Sequence, residues 1–337
     1  MPETLPPVAF AERPPAVVRQ IARTVLTGFD VRIPESNDPR AIGAALRESG
    51  VLLARGRPVG AAELDIAGAK LVVVLGRLPI GLDEDAASDR GVTIRTIPHP
   101  GAIVVADHTL ALMLAVARRI VEGDQGVRVG AYRGRGLEPQ RTTERSYAFN
   151  WLARRDIVAL EGRHLGLIGF GAIGQETARR ARGFGMQVRY LRRTPLPDRW
   201  NRALGVEPAA SLDEILVTSD VVSLHCPHTR ETENLLDAAA LDRMKPGAIL
   251  INTARGALVD EAALVERLRG GRLGGAGLDV FREEPVPAHH PLLAAPNTVL
   301  APHTGGAGAG GQRELFARAA TIIRAHFGEG APGEAAA

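Results

Sequence analysis

The fold of this chain is decided by one stretch, Leu165-Gly166-Leu167-Ile168-Gly169-Phe170-Gly171-Ala172-Ile173-Gly174. It predicts a buried strand, a Gly-x-Gly-x-x-Gly turn and a helix that opens at Gln175. Gly169 would permit the tight turn, Gly171 would let a pyrophosphate approach the backbone, and Gly174 would let helix and strand pack closely. The free N–H groups of the new helix would face the phosphates. The stretch therefore predicts a dinucleotide-binding unit, with a plain strand–helix turn as the alternative.

The chain on both sides of this stretch alternates strand-like and helix-like patterns. The expected strands are 29–33, 50–54, 71–75, 92–97, 186–191, 221–225, 248–252, 275–280 and 299–301, after a short apolar run at 7–12. The expected helices are 16–26, 39–47, 60–67, 83–89, 212–218, 239–243, 261–269 and 312–327, before a tail at 328–337 that we expect to be frayed. This rhythm predicts an α/β protein with parallel sheets covered by helices. The half before residue 100 has no glycine-rich phosphate loop and is expected to be a separate domain.

Composition narrows the class of protein. The 337 residues are 45% hydrophobic and 23% charged, which is ordinary for a globular protein of two domains. The net charge is only +3 and acidic residues are interleaved throughout, which argues against nucleic acid as a partner. Cys226 is the only cysteine, so no intramolecular disulfide can form, and a reducing cytoplasm is expected. We also expect no signal peptide and no apolar stretch that reaches the roughly 18 residues of a membrane span.

The middle of the chain has a different character. Residues 106–121 predict one long apolar helix that could cross between two domains. Residues 122–163 are rich in Gly, Arg and polar side chains and carry Tyr132, Tyr147, Phe149 and Trp151. A long segment without regular patterning is usually functional or an interface arm. The aromatic residues favour contact with a second copy of the chain, and a surface loop that packs its own aromatics is the alternative.

Three polar motifs follow expected strands near the end of the chain. They are Asn252-Thr253-Ala254-Arg255-Gly256, then Gly277-Leu278-Asp279-Val280-Phe281-Arg282-Glu283-Glu284-Pro285, then Ala301-Pro302-His303-Thr304-Gly305-Gly306. Ligands of open parallel sheets bind beyond the carboxyl ends of the strands. We therefore expect Arg255, Asp279 and His303 to converge on one crevice.

These motifs, in this order, resemble the D-isomer-specific 2-hydroxyacid dehydrogenases, including the glyoxylate/hydroxypyruvate reductases and phosphoglycerate dehydrogenases. The resemblance covers nearly the whole chain. Further matching stretches are Gly76-Arg77-Leu78-Pro79-Ile80-Gly81, Ala106-Asp107-His108-Thr109, Leu224-His225-Cys226-Pro227 and Met244-Lys245-Pro246-Gly247-Ala248. The resemblance implies two doubly wound parallel-sheet domains. A Rossmann NAD(P)-binding domain at 106–306 would be inserted into a flavodoxin-like substrate-binding domain at 1–105 and 307–337.

The resemblance also implies a role for each matching residue. Arg255 would bind the substrate carboxylate and polarise the 2-oxo oxygen, a task suited to a planar, always-charged fork. His303 would be the acid in reduction and the base in oxidation, and Glu284 would fix its tautomer. The N–H groups of Ile80 and Gly81 would receive the carboxylate. The implied cofactor-binding residues are Gly169, Gly171, Ala172, Ile173, Gly174, Leu191, Arg192, Arg193, Thr194, Cys226, Pro227, Thr253, Ala254, Asp279 and Gly305.

Three further residues, Glu283, His289 and His290, offer alternatives to these assignments. Glu283 precedes Glu284, and either carboxylate could simply be solvated; the position before Pro285 is the one that matches the family. His289 and His290 could suggest a metal pair. With no cysteine or carboxylate cluster at ligand spacing, we interpret them as loop residues and expect no metal.

The choice of cofactor depends on the end of the second nucleotide strand. An acidic residue about 20 positions beyond the glycine loop would bind the ribose 2′-hydroxyl of NAD. Leu191 stands there instead, followed by Arg192, Arg193 and Thr194. These residues could bind a 2′-phosphate, which favours NADP(H), although NAD with a solvated arginine face stays open.

The sequence therefore predicts NAD(P)H-dependent reduction of a small 2-oxo acid to the D-2-hydroxy acid, and the reverse, by a cytoplasmic homodimer. Two alternatives remain. One is a phosphorylated or phosphonylated substrate that Arg141 and Arg145 could reach. The other is a dinucleotide-sensing binding protein that resembles the family's corepressors. Glu284 and Ile80 disagree with the formate- and phosphite-oxidising relatives.

Overall fold

The structure is a computed structural model that describes residues 5–308 and 310–328. The chain forms two compact units. One contains the described residues up to Ile103 together with those from Gly308 onward, and the other is Val104–Ala307. The second unit is thus inserted into the first along the chain. The assignment of substrate to the first unit and of dinucleotide to the second stays a prediction.

The first unit is built on a five-stranded parallel sheet in the order β2-β1-β3-β4-β5. This is the flavodoxin-like doubly wound order that the resemblance implies. Its strands are β1 (Val8–Phe10), β2 (Val31–Arg32), β3 (Val51–Ala54), β4 (Leu71–Val74) and β5 (Thr93–Thr96). Its helices are α1 (Ala16–Val25), α2 (Pro39–Leu46), α3 (Ala61–Ala67), α4 (Glu84–Asp89) and, at the end of the chain, α12 (Gly311–His326).

Both faces of that sheet are covered by apolar side chains. On one face α1 and α12 pack against the strands, where the rings of Phe10 and Phe316 meet edge to face at 5.8 Å. The other face is covered by residues of α2, α3 and α4, including Ile42 and Leu64. Burial on both faces explains why β3 and β4 are continuous apolar runs in the sequence.

The second unit is built on a seven-stranded parallel sheet in the order β12-β11-β10-β9-β6-β7-β8. Its strands are β6 (His164–Ile168), β7 (Gln187–Leu191), β8 (Val206–Pro208), β9 (Val221–Leu224), β10 (Ile249–Asn252), β11 (Gly275–Leu278) and β12 (Thr298–Leu300). Its helices are α6 (Ile120–Arg128), α7 (Ala172–Gly183), α8 (Asp198–Leu204), α9 (Leu212–Thr218), α10 (Ala238–Arg243) and α11 (Glu261–Arg269). The order changes direction between β6 and β9, as in a Rossmann fold, and the predicted fold class is confirmed.

The long helix expected at 106–121 is wrong in both bounds. Helix α5 (Pro100–Ala117) begins six residues earlier with proline at its first position, and α6 is a separate helix. Arg119 separates them with a left-handed φ of +53°. Helix α5 is also long and apolar enough to cross a membrane by length and composition alone, contrary to our expectation, but half of it is buried within the protein, as in a core helix.

Three further expectations need correction. Helix α7 starts at Ala172, not at Gln175, so Gly174 lies inside its first turn. Helix α8 and strand β8 were not expected from the sequence. The arm at 122–163 contains α6 and a 3₁₀ helix, Ala131–Arg135, before a stretch without regular structure. Most of the tail expected to be frayed, 329–337, lies outside the described residues.

Candidate active site

Three adjacent parallel strands bring the predicted residues to one edge of the second sheet. Strands β10, β11 and β12 pair in that order. Arg255 lies three residues beyond the end of β10, Asp279 directly follows β11, and His303 lies three residues beyond β12. The structure therefore brings these three residues to the same carboxyl edge, where ligands of such sheets bind.

His303 and Glu284 form a hydrogen-bonded pair. The distance between His303 Nδ1 and Glu284 Oε2 is 2.7 Å, and the N–H of Phe281 donates to Glu284 Oε1 at 2.9 Å. Burial alone would raise the pKa of Glu284, but the hydrogen bonds from His303 and Phe281 and the charge of Arg255 hold it below its usual value. The carboxylate thus stays ionised and holds the imidazole by Nδ1, which leaves Nε2 for a reacting group. Both glutamates are exposed, but the side chain of Glu283 forms no hydrogen bond or ion pair with another described residue.

The backbone of His303 is also unusual. Its φ of +55° lies in the left-handed region, which non-glycine residues rarely adopt. Thr304 and Gly305, which follow it, donate their N–H groups to the buried carboxylate of Asp279 at 2.8 Å each. These bonds hold a strained backbone at the position where the imidazole is presented, a pattern that is common at functional sites.

Arg255 is exposed on a loop whose backbone is tightly fixed. The buried side chain of Asn252 accepts from the N–H of Ala254 at 3.0 Å and donates to the carbonyl of Arg255 at 2.9 Å. A Cβ at Gly256 would lie 1.9 Å from the carbonyl carbon of Phe281, so only glycine lets this loop lie against the segment that leads to Glu284. Within the part of the chain that the structure describes, Arg255 has no carboxylate within ion-pair distance, so its guanidinium can bind an anion.

Asp279 lies next to His108, a residue for which the sequence alone indicated no role in the site. It is only 2% exposed, and His108 Nε2, on α5, lies 3.2 Å from its Oδ1. The two backbone N–H groups take two of the roughly four acceptor positions of the carboxylate, and His108 Nε2 lies close to it without forming a hydrogen bond, so acceptor positions remain for a ligand amide. The neighbouring hydroxyls of Thr109 and Thr253 meet at 3.0 Å. The sequence shows Ala106-Asp107-His108-Thr109 only as a motif of the family, since nothing in it pairs α5 with β11.

The glycine turn after β6 leaves space for a ligand at only one of its three glycines. Gly169 has a φ of +95°, and a Cβ there would lie 2.5 Å from the Cys226 nitrogen. A Cβ at Gly174 would lie 2.6 Å from the Gly169 oxygen, whereas a Cβ at Gly171 would meet no atom within 4 Å. Helix α7 also begins without a side-chain cap. Open space in front of uncapped helical N–H groups, next to Ala172 and Ile173, fits a dinucleotide pyrophosphate.

The remaining predicted cofactor residues surround this turn. Leu191 ends β7 and its carbonyl accepts from the N–H of Gly169 at 2.9 Å. Arg192 is half-buried, while Arg193 and Thr194 are exposed. Glu231 has a pKa below its usual value because Thr229 donates to it and Arg193 lies within electrostatic reach. The second arginine therefore faces a carboxylate as well as solvent.

Cys226 and Pro227 follow β9 on the other side of the glycine turn. Burial raises the pKa of the Cys226 thiol, so it behaves as a neutral side chain. His225, just before it, contacts Ser223 Oγ through Nε2 at 2.9 Å, and desolvation lowers the pKa of His225 to about 3. Thr253 and Ala254 lie between the end of β10 and Arg255. Strand β10 pairs with β9, the strand that precedes Cys226.

Ile80 and Gly81 lie in the first unit, in the loop after β4. The N–H of Val59 donates to the carbonyl of Gly81 at 2.8 Å, and Gly81 has a φ of +88°. A Cβ at Gly81 would lie 3.1 Å from the Gly56 oxygen. Among the described residues, neither Ile80 nor Gly81 donates its own N–H to another residue, so both can receive a carboxylate.

Of the two histidines that could suggest a metal pair, His290 has a structural partner. His290 Nε2 lies 3.2 Å from Glu261, whose other oxygen accepts from the N–H of Arg282. In the described ranges 5–308 and 310–328, no group of three or more His, Cys, Asp or Glu side chains could hold a metal ion.

Comparison with known proteins agrees with this geometry. Residues 110–305 match the family model of the D-isomer specific 2-hydroxyacid dehydrogenase NAD binding domain. A glyoxylate reductase from Thermococcus onnurineus is 43% identical over 240 residues, which cover 70% of this chain and 68% of that enzyme. A D-3-phosphoglycerate dehydrogenase from Mycobacterium bovis is 36% identical over 325 residues, which cover 95% of this chain and 57% of that enzyme. A crystal structure of a Thermus thermophilus protein superposes with a TM-score of 0.53 at 38% identity, covering 94% of both chains.

Proposed function

The chain belongs to the D-isomer specific 2-hydroxyacid dehydrogenase family, and we propose that within it the protein is an NADPH-preferring reductase of a small 2-oxo acid such as glyoxylate or hydroxypyruvate. It is an oxidoreductase that uses a nicotinamide dinucleotide and reduces 2-oxo acids to 2-hydroxy acids. The observation that carries the proposal is the His303–Glu284 pair beside an arginine without a carboxylate partner. The product would be the D-hydroxy acid, as the family's description implies.

In the proposed mechanism this chain binds, orients and protonates the substrate. Arg255 binds the carboxylate and places a positive charge near the 2-oxo oxygen, which stabilises the negative charge that develops there. Reduced nicotinamide, when bound, supplies the hydride. His303 holds a proton at Nε2 and donates it to that oxygen, because Nδ1 is occupied by Glu284. The ionised Glu284 stabilises the imidazolium before the transfer, and Asp279 would accept from the nicotinamide carboxamide.

The proposed preference for NADPH is supported by the residues after β7. Arg192 and Arg193 have no ion-pair partner in the described part of the chain, and Thr194 adds a hydroxyl. This set suits a 2′-phosphate better than a 2′-hydroxyl, since no carboxylate ends β7. The charge of Glu231 near Arg193 opposes the preference, so NAD remains the alternative cofactor.

The proposed substrate contacts in the first unit are the N–H groups of Ile80 and Gly81, which would receive the carboxylate. A phosphorylated or phosphonylated substrate is not favoured, because the curated relatives near 40% identity are glyoxylate reductases. Arg141 and Arg145 are exposed on the arm. A role as a dinucleotide-sensing binding protein is not favoured on the same ground.

We further propose that the protein is a homodimer through the arm at 122–163. Several apolar side chains of this arm are exposed, and Phe149 is 85% exposed. Exposed apolar groups in a contiguous segment mark an interaction surface. A cytoplasmic location is proposed with it, because a reductase needs a pool of reduced nicotinamide.

The proposal is tested by absorbance at 340 nm, with NADPH and NADH supplied separately and glyoxylate, hydroxypyruvate, pyruvate, phenylpyruvate and a phosphonylated analogue as substrates. We expect glyoxylate or hydroxypyruvate to be reduced with a higher kcat/KM for NADPH than for NADH. Turnover with NADH alone would overturn the cofactor preference and keep the reaction. Activity only with the phosphonylated analogue would overturn the substrate class.

A further inference from the structure

A buried polar group at the end of β7 fixes the loop that carries Arg192, Arg193 and Thr194. Tyr190 is completely buried, and its phenol donates to Asn201 Oδ1 at 2.8 Å while accepting from the N–H of Leu196 at 2.8 Å. The amide of Asn201 in turn donates to the carbonyl of Leu196 at 3.1 Å. One side chain thus holds both ends of the five-residue loop between positions 190 and 196.

The same tyrosine also fixes this loop relative to the glycine turn. Its ring stacks on Phe170, the residue between Gly169 and Gly171, with centroids 4.0 Å apart and planes 16° from parallel. The carbonyl of Leu191 accepts the N–H of Gly169 at 2.9 Å. The turn that would approach the pyrophosphate and the loop that would contact the adenosine ribose are therefore one fixed assembly.

We propose that Tyr190, with Asn201 as its partner, is a positioning residue that determines how strongly the enzyme discriminates the 2′ substituent of the cofactor. The inference rests on the proposed role of the loop 191–194. Arg192 and Arg193 are long side chains on an otherwise solvent-facing loop. A charge-assisted contact with a phosphate gains affinity when the backbone that carries the arginine is already fixed. Because Tyr190 is completely buried, its side chain is closed off from a bound ligand, so it acts through the loop alone.

Burial alone does not explain these contacts. A phenylalanine would fill the same space and keep the stack on Phe170, so packing does not require the hydroxyl. The hydroxyl instead satisfies two partners that are otherwise buried without water, Asn201 and the Leu196 N–H. Buried polar networks that are fully satisfied specify one local conformation.

The test compares Tyr190→Phe with the parent protein in binding of 2′,5′-ADP and 5′-AMP, and in steady-state kinetics. We expect the Kd of 2′,5′-ADP to rise about tenfold, as when one charge-assisted contact is weakened, with the Kd of 5′-AMP changed less than about twofold. The KM for NADPH should rise with kcat retained. Asn201→Ala removes the other half of the network and should give the same selective loss, which decides the matter if Tyr190→Phe does not fold.

Leu264→Val, in buried helix α11 away from the loop, is the matched control for lost stability. The inference is overturned if Tyr190→Phe raises the Kd of 2′,5′-ADP and of 5′-AMP equally. It is also overturned if Leu264→Val selectively loses affinity for 2′,5′-ADP. A parent that binds 2′,5′-ADP no better than 5′-AMP overturns the NADPH preference instead. In that case the Kd values of 5′-AMP and its 2′-deoxy analogue are compared instead. If Tyr190→Phe distinguishes these two nucleotides as well as the parent does, the role of Tyr190 is overturned.

Discussion

At the scale of single residues, the chemistry depends on which carboxylate contacts His303. Two adjacent glutamates follow the same strand, yet only Glu284 has its side chain against the imidazole, at 2.7 Å. Glu283 is exposed. The position of Glu284 directly before Pro285 pointed to the residue that contacts His303. The strained backbone of His303 could not be predicted, because it depends on hydrogen bonds from Thr304 and Gly305 to Asp279, which is 25 and 26 residues away.

The hydrogen-bonded pair of His303 and Glu284 gives a prediction about activity, with the neighbouring Glu283 as the control. His303→Gln should lower kcat for 2-oxo acid reduction about 10²- to 10⁴-fold, the usual contribution of a positioned acid. Glu284→Gln should lower it less, because the amide oxygen still accepts from Nδ1 while the charge that stabilises the imidazolium is gone. Glu283→Gln should stay within about twofold of the parent, since this side chain has no hydrogen-bond or ion-pair partner among the described residues. Equal losses in the two glutamate variants, measured at 340 nm, would contradict the assignment.

A second residue makes the stability of the protein depend on pH. Desolvation lowers the pKa of His225 to about 3, from 6.5 in the unfolded chain. Between these pH values the unfolded state binds a proton that the folded state does not. The contribution of His225 to the free energy of unfolding is therefore fully present above pH 6.5 and is lost progressively as the pH falls below it. The contribution is up to about 1.4 kcal/mol per pH unit. Denaturant unfolding at pH 5 to 7 should show a weaker fall for His225→Gln, and an unchanged slope would refute this role.

At the scale of elements, the order of strands and helices was largely predictable, while bounds and short elements were not. Strands β3, β4 and β10 are buried on both faces, so their apolar runs are unambiguous. Helix α8 has only seven residues and follows Pro195 and Pro197, so no periodicity could develop. The break between α5 and α6 depends on a left-handed Arg119, which a helical pattern does not reveal.

The glycine turn yields a prediction that separates folding from binding. Gly171→Ala should leave stability within about 0.5 kcal/mol, because its φ of −84° suits any residue and its Cβ meets no atom within 4 Å. The same methyl group would occupy the open space and raise the Kd for the dinucleotide about tenfold or more. Gly174→Ala should instead cost about 1–3 kcal/mol, since its Cβ would lie 2.6 Å from the Gly169 oxygen. Thermal unfolding and dinucleotide titration of both variants distinguish these effects.

At the scale of the whole molecule, the sequence predicted two α/β units from its alternation of strands and helices, and its resemblance to the family implied the insertion of one into the other. It predicted less about the arm at 122–163. The structure shows some of its aromatics packed on each other, with the rings of Tyr132 and Trp151 meeting edge to face at 5.7 Å. Ion pairs join Arg154 to Glu122 at 2.5 Å and to Asp156 at 2.9 Å. The arm is thus internally ordered in part, while its outer apolar side chains stay exposed.

Those outer side chains carry the last prediction, on the oligomeric state. Phe149 and Tyr147 are 85% and 64% exposed, and Val129 on the same arm is 73% exposed. Apolar groups so exposed in one segment favour burial against a second copy. Phe149→Asp should convert a dimer, at about twice the chain mass of 35.7 kDa, into a monomer in sedimentation velocity. Val217→Asp, on the exposed face of α9 and outside the arm, is the matched control and should leave the dimer intact. A parent that sediments as a monomer would refute the proposed dimer. A Phe149→Asp protein that remains dimeric would place the interface elsewhere, because a charge at the centre of a buried apolar contact costs several times the free energy of the contact it replaces.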